Sequence, residues 1–160
     1  MSIIGSISNC RKPIGEGADR LVFYSKRYKC IIKKDKVYPE FSDRGEQMEH
    51  EFAIFQQMTD EEKKVYPIIN IVEYQGEKVI LMKKCKPIHT FQVIMNMRNN
   101  CEIGDIQTYE SACKVCMALS LEMDSAETYH KFIKKYQLRD MHIYNVGVYE
   151  NRLVVLDAGY

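Results

Sequence analysis

No stretch of the 160-residue sequence approaches the run of about 18 apolar residues that a membrane-spanning helix requires, because Lys, Glu or Asp interrupts every apolar cluster. Neither sign of charge is in excess. With 23 basic and 22 acidic residues, no electrostatic attraction favours nucleic acid or an anionic membrane, and neither is expected as a partner. Residues 1–11 lack a basic segment followed by a long apolar core and a cleavage site, so an ordinary secretory signal is not expected and the cytoplasm is the expected location. Only Cys113 and Cys116 have CxxC spacing, and no second Cys or His pair stands at metal-ligand distance in the sequence. That pair reads as helix packing, and the six cysteines as reduced thiols without disulfides. There is also no internal repeat, low-complexity tract or long linker. What is present is 46% hydrophobic residues, enough for one compact domain or two small lobes sharing a cleft. A chain of this size buries about 68–70% of its unfolded surface and needs no covalent or metal staple.

Periodicity divides the chain into a β-rich first half and a helical second half. Leu21–Tyr24 and Tyr28–Lys33 are rich in branched and aromatic residues and flank Ser25-Lys26-Arg27, which predicts a hairpin behind a glycine-bearing segment. Met48, Phe52, Phe55 and Met58 recur at three- and four-residue intervals and predict a helix over about 46–58. Thr59-Asp60-Glu61-Glu62 has capping-box spacing for a short turn that ends before Pro67. A second hairpin is expected from Ile68–Tyr74 and Lys78–Met82 around Gln75-Gly76-Glu77. Helices follow over 91–98, 106–123 and 124–137, then a third hairpin, Val146–Tyr149 with Arg152–Leu156, turning at Glu150-Asn151.

Chemistry concentrates near the end, in Leu138-Arg139-Asp140-Met141-His142-Ile143-Tyr144-Asn145, then a hairpin, then Leu156-Asp157-Ala158-Gly159. An Asp or Asn alone in a loop is usually a turn device. An Asp, four residues, an Asn, a hairpin and a second Asp before a small residue and Gly together resemble the catalytic loop and metal-binding motif of protein kinases. The other parts stand upstream in the same order. Ile14-Gly15-Glu16-Gly17-Ala18-Asp19-Arg20-Leu21-Val22 resembles the glycine-rich loop, Cys30-Ile31-Ile32-Lys33 the strand that carries the nucleotide-binding lysine, and Glu51-Phe52-Ala53-Ile54-Phe55 the helix whose glutamate fixes that lysine. Glu49 and Glu46 are lesser alternatives for that glutamate, and Lys34 should face away from Lys33.

The resemblance implies an α+β, protein-kinase-like bilobal fold: a β-rich N-lobe over about 1–85 and a heavily truncated helical C-lobe over about 86–160. It implies ATP and Mg²⁺ as cofactors. Asp140 would orient or accept the hydroxyl proton, Asn145 and Asp157 would bind Mg²⁺, and Lys33 would hold the nucleotide phosphates with Glu51. Gly15 and Gly17 would shape the phosphate cover. Met82 would line the back of the nucleotide pocket, and Lys83 to Cys85, with Lys84 at the centre, would bond the adenine edge. Three positions depart from the family pattern: Arg20 stands where a third glycine is usual, Leu138 where a histidine is usual, and Ala158 where a phenylalanine is usual.

Neither an activation loop nor peptide-binding helices are expected after Gly159. In this the sequence is similar to short bacterial effector kinases of the OspG and NleH type and to short kinase-like proteins of bacteriophages. The expectation is therefore a Ser/Thr protein kinase acting on a host or regulatory protein, in the cytoplasm or delivered to a host cytoplasm by a non-classical route. Two rivals share the motif: a pseudokinase that sequesters a partner protein without phosphotransfer, and a small-molecule kinase resembling the aminoglycoside phosphotransferases.

Overall fold

The computed structural model describes residues 12–17, 20–36, 46–99 and 103–159. Ala18 and Asp19 of the glycine-bearing segment, Cys10 and Cys101 lie outside the described residues. The chain divides into two compact units, residues 1–56 with 68–84 and residues 57–67 with 85–160. No helix among the described residues is long and apolar enough to cross a membrane.

The first unit is a five-stranded antiparallel sheet with one helix. Strands β1 (Gly15–Glu16), β2 (Arg20–Ser25), β3 (Cys30–Asp35), β4 (Ile68–Tyr74) and β5 (Glu77–Lys83) lie in the order β1-β2-β3-β5-β4. Both predicted hairpins are present. The β4–β5 turn places Gln75 at φ 52° and Gly76 at φ 80°, the doubly left-handed geometry whose twist matches the flanking strands. Alternation gives the sheet one apolar face: Cys30, Ile32, Val79 and Leu81 are buried, with Phe23, Tyr28, Val72 and Tyr74 packed against them. Burying each of the larger residues contributes about 1.5–3 kcal/mol. Helix α1 (Glu46–Gln57) ends one residue short of the expected Met58 and buries Met48, Glu51 and Ile54.

The second unit contains β6 (Lys86–Pro87), α2 (Gln92–Asn99), α3 (Tyr109–Leu119), α4 (Asp124–Lys135), β7 (Val146–Tyr149) and β8 (Arg152–Val155). Its three strands run β6-β7-β8, and Glu150 and Asn151 turn the β7–β8 hairpin with φ 48° and 62°. Strand β6 carries too little pattern to be seen in sequence. It depends on Gly147 opposite, where an added Cβ would stand 2.9 Å from the Lys86 carbonyl oxygen.

Residues 57–67 belong to this unit because their polar groups find partners there. Val155 N–H donates to Val65 C=O at 2.8 Å, and the Glu62 carboxylate accepts from Lys135 at 2.6 Å and from the Tyr136 hydroxyl at 3.0 Å. The predicted capping pair also forms: Thr59 N–H donates to the Glu62 carboxylate at 2.9 Å, and Glu62 N–H to the Thr59 hydroxyl at 3.3 Å.

Two helices of this unit are shorter than predicted. Periodicity implied 106–123, whereas α3 starts behind Thr108, which makes a reciprocal cap with Ser111. It stops at Ser120, held left-handed at φ 54°, with Leu121 N–H bonded back to Cys116 C=O at 2.8 Å. Helix α4 likewise ends at Lys135 rather than 137, with Gln137 at φ 54° just beyond it. The CxxC pair lies on α3. Cys116 is buried with its sulfur 3.5 Å from the Ser125 hydroxyl oxygen, and burial pushes its thiol pKa up, which suits packing.

Candidate active site

Each unit gathers one group of the residues singled out in the sequence. In the first unit, strand register places Gly15, Val22, Lys33, Ile80 and Ile71 in one row across all five strands. Because side chains alternate, the residues two positions away share that face: Tyr24, Ile31 and Met82 on one side of the row, Arg20 and Asp35 on the other. Lys33 and Met82 are buried, and Lys84 is exposed with its ammonium 4.6 Å from the centre of the Tyr24 ring. Lys34 faces the other way and pairs with Glu77 at 2.9 Å, so the two adjacent lysines are separated as strand geometry demands.

Helix α1 contributes to the same face. Glu51 has no exposed side-chain surface and forms an ion pair with the Arg20 guanidinium, while Arg20 Nε donates to Asp35 at 3.0 Å. Glu49 pairs with Lys78, on the same side of β5 as Ile80 and Met82. Of the three glutamates considered, Glu51 is the buried one. The cation at the third-glycine position is thus not a surface group: the Arg20 side chain is 6% exposed and engaged by carboxylates from β3 and α1. Nothing in the described residues lies within 4 Å of the point a Cβ on Gly17 would occupy, so packing does not account for glycine there.

In the second unit, the loop from Leu138 to Asn145 brings Asp140, Asn145 and Asp157 together. Asn145 Nδ2 donates to the Asp140 backbone oxygen at 2.8 Å and stands 3.4 Å from its carboxylate. The Asn145 carbonyl in turn accepts from Leu156 N–H at 2.8 Å and Asp157 N–H at 3.4 Å, tying the loop to the residue after the hairpin. The Asp157 carboxylate then accepts from Gly159 N–H at 3.1 Å. Asp140 itself is 55% exposed, which leaves its carboxylate hydrated and open to a reacting group.

The loop is held from behind by apolar and backbone contacts. Leu138, in place of the usual histidine, is buried, and so is Ala158. The segment just before α3 runs against the loop: Ile106 N–H donates to Met141 C=O at 2.8 Å, and Ile143 N–H to Gly104 C=O at 3.3 Å. Gln107 spans it, donating to Leu138 C=O at 2.6 Å and accepting from Met141 N–H at 3.3 Å. The buried Tyr129 hydroxyl donates to Ile106 C=O at 2.8 Å, and burial raises its pKa well above the usual phenol range, so it remains a donor.

Sequence reasoning missed three of these parts. Gln107 carried no signal, since its partners are backbone atoms some 30 residues away. His142 is 3.5 Å from the Asp140 carboxylate and 3.3 Å from Asn145 Nδ2, inside the motif yet not singled out. Asp35 could have been found by extending the first hairpin's register, which sets it directly opposite Arg20.

Among the described residues no group of three or more His, Cys, Asp and Glu side chains stands where it could hold a metal ion. An all-protein cage is therefore not what the site offers. One carboxylate and one side-chain amide oxygen, from Asp157 and Asn145, fit Mg²⁺, which takes few protein ligands and completes its shell with water and substrate phosphates.

No protein-family model matches the chain, nor does any curated protein. Among solved structures the chain is similar to one from the CAK complex of Chaetomium thermophilum bound to ATP-γ-S, at 14% identity and a TM-score of 0.55. The match covers 98% of this chain and 49% of that one, so this chain spans about half the length of its neighbour. At such identity the likeness concerns fold alone. With a β-rich first part and helices after it, the chain has a protein-kinase-like fold.

Proposed function

We propose that the chain is an ATP- and Mg²⁺-dependent phosphotransferase of protein-kinase type that phosphorylates a Ser or Thr hydroxyl of a protein. The observation that carries this reading is the Asp140, Asn145 and Asp157 assembly, in which one side-chain amide and one backbone carbonyl of Asn145 link both acidic residues. Asp140 orients the acceptor hydroxyl and takes its proton as the oxygen attacks the γ-phosphorus and the bond to the β–γ bridging oxygen breaks, releasing ADP. Asn145 and Asp157 would hold Mg²⁺, which when bound neutralises charge on the phosphate oxygens. Lys33 supplies an ammonium to the α- and β-phosphates, and the open space at Gly17 lets backbone approach them. The likeness to a chain solved with ATP-γ-S supports a nucleotide ligand.

The test is transfer from radiolabelled ATP to proteins of a cell lysate, with Asp140→Ala and Asp157→Ala as controls. Labelling abolished by both substitutions is the expected result. Labelling that persists in both variants removes the proposed roles. Nucleotide binding without transfer to any protein would favour a pseudokinase, and transfer to a sugar or drug would favour a small-molecule kinase.

A further inference from the structure

Asp140 stands half in solvent, where a carboxylate turns freely unless neighbouring side chains hold it. Its side-chain contacts among the described residues fall on one oxygen: Asn145 Nδ2 stands 3.4 Å from Oδ2, and His142 Nε2 stands 3.5 Å from the same atom. Oδ1 makes neither contact. The His142 ring is oriented to present a proton there, because its Nδ1 accepts from Tyr144 N–H at 3.2 Å and an imidazole whose Nδ1 accepts carries its hydrogen on Nε2. The 3.3 Å between His142 Nε2 and Asn145 Nδ2 is therefore an approach of two donors, and their common acceptor accounts for it. Both contacts with Oδ2 are long, as is usual before a reactant arrives to tighten a catalytic site.

The ring is also braced. Tyr144 meets it edge-on, with centroids 5.8 Å apart and planes at 74°, and lies nearly flat on His89 at 4.6 Å and 27°. His89 N–H in turn donates to Ile143 C=O at 3.1 Å, which ties the stack to the same loop.

We infer that His142 is a positioning residue for phosphotransfer: together with Asn145 it holds Oδ2 of Asp140 and so turns Oδ1 toward the acceptor hydroxyl. This rests on the kinase reading of Asp140. The hydroxyl proton passes to Oδ1 as the oxygen attacks the γ-phosphorus, and the His142 proton stays on Nε2 throughout. A carboxylate fixed in advance spares the reaction the loss of rotational freedom that a mobile one would suffer on the way to the transition state.

The experiment measures transfer from radiolabelled ATP with Mg²⁺ to heat-treated cell lysate, in which endogenous kinases are inactive, for wild type, His142→Phe and His142→Gln. Near-UV circular dichroism verifies the fold of each. Phe keeps a ring against Tyr144 and has no donor, whereas Gln loses the ring and carries an N–H to about the place of Nε2. His142→Phe is expected to lower kcat about ten- to a hundredfold, the effect of removing a hydrogen bond to a charged group, with the KM for ATP within about twofold of wild type. His142→Gln is expected to retain kcat within about threefold of wild type, because the donor is kept. A merely structural role predicts the reverse order, since Phe preserves the aromatic packing and Gln does not. If His142→Phe does not fold, His142→Leu takes its place, and a structural role then predicts equal loss in Leu and Gln. A donor-free variant as active as His142→Gln, or a loss confined to the KM for ATP, overturns the inference and leaves the kinase reading standing. Wild type that labels no protein overturns the kinase reading and this inference with it.

Discussion

The two units hold their charged groups by opposite means. In the first, Arg20, Lys33 and Glu51 are withdrawn from water, and Arg20 is positioned by carboxylates from two other elements. In the second, Asp140 and His142 stay half in solvent, and the surrounding chain is fixed by backbone hydrogen bonds from Gly104 and Ile106 and by the side-chain amides of Gln107 and Asn145. Buried charges are costly to desolvate, so the first arrangement gains rigidity and low hydration while depending on every partner being present. The second costs little, tolerates substitution of the acid itself, and leaves the carboxylate hydrated until a reactant arrives. Stability and chemistry should therefore respond to mutation differently in the two units.

The largest effect expected is on chemistry in the second unit. Asp140→Asn should lower phosphotransfer by roughly 10²–10⁴-fold, the usual contribution of a general base, while urea unfolding shifts by less than about 0.5 kcal/mol. A drop in stability comparable to that of a core mutation would break the contrast. In the first unit Glu51→Ala should destabilise by about 3 kcal/mol, the lower end for breaking a buried pair, because Asp35 still partners Arg20. Chemical denaturation followed by far-UV circular dichroism measures it, and a change under about 1 kcal/mol would show the pair to be dispensable.

Two further substitutions sharpen the view of the second unit. Gly147→Ala forces a Cβ against the Lys86 carbonyl and should cost about 1–3 kcal/mol, read from the same denaturation curves. Gln107→Ala strips partners from Leu138 C=O and Met141 N–H; about 1 kcal/mol of stability should go, with kcat falling more than the KM for ATP if loop geometry is what Gln107 maintains. The smallest effect concerns pH. Burial alone would raise the Glu62 pKa, but hydrogen bonds from Lys135, Thr59 N–H and Tyr136 outweigh it and hold the carboxyl below its ordinary 4.5. A depressed folded-state pKa contributes stability that is complete above the unfolded value and disappears as pH falls through the folded one. Wild type should thus lose slightly more stability than Glu62→Gln below about pH 4.5, and parallel stability curves would refute the role.

Much of this architecture is written in local pattern. Branched and aromatic runs separated by turn residues mark each hairpin, because alternation and left-handed turns at Gln75-Gly76 and Glu150-Asn151 are decided within a few residues. The Asp140, Asn145 and Asp157 spacing is legible for a related reason: the loop and hairpin between them are short enough that sequence distance limits spatial distance. Periodicity misjudged the start and end of α3 because the apolar residues Ile106 and Leu121 continue the stripe while backbone bonds to Met141 and Cys116 take them out of the helix.

Hairpin pairing, then, follows from residues that are neighbours in the chain, where propensity and turn geometry act without outside help. The destination of Arg20 does not. Its place where a third glycine is usual gave no sign of a carboxylate partner on α1, and only the packing of α1 against the sheet brought Glu51 to it. The same holds for residues 57–67, whose capping signal was clear but whose allegiance to the second unit depends on Val155, Lys135 and Tyr136 far along the chain. A buried polar group must be satisfied by whatever the fold places beside it, and that neighbour is chosen by long-range packing, which no local pattern encodes.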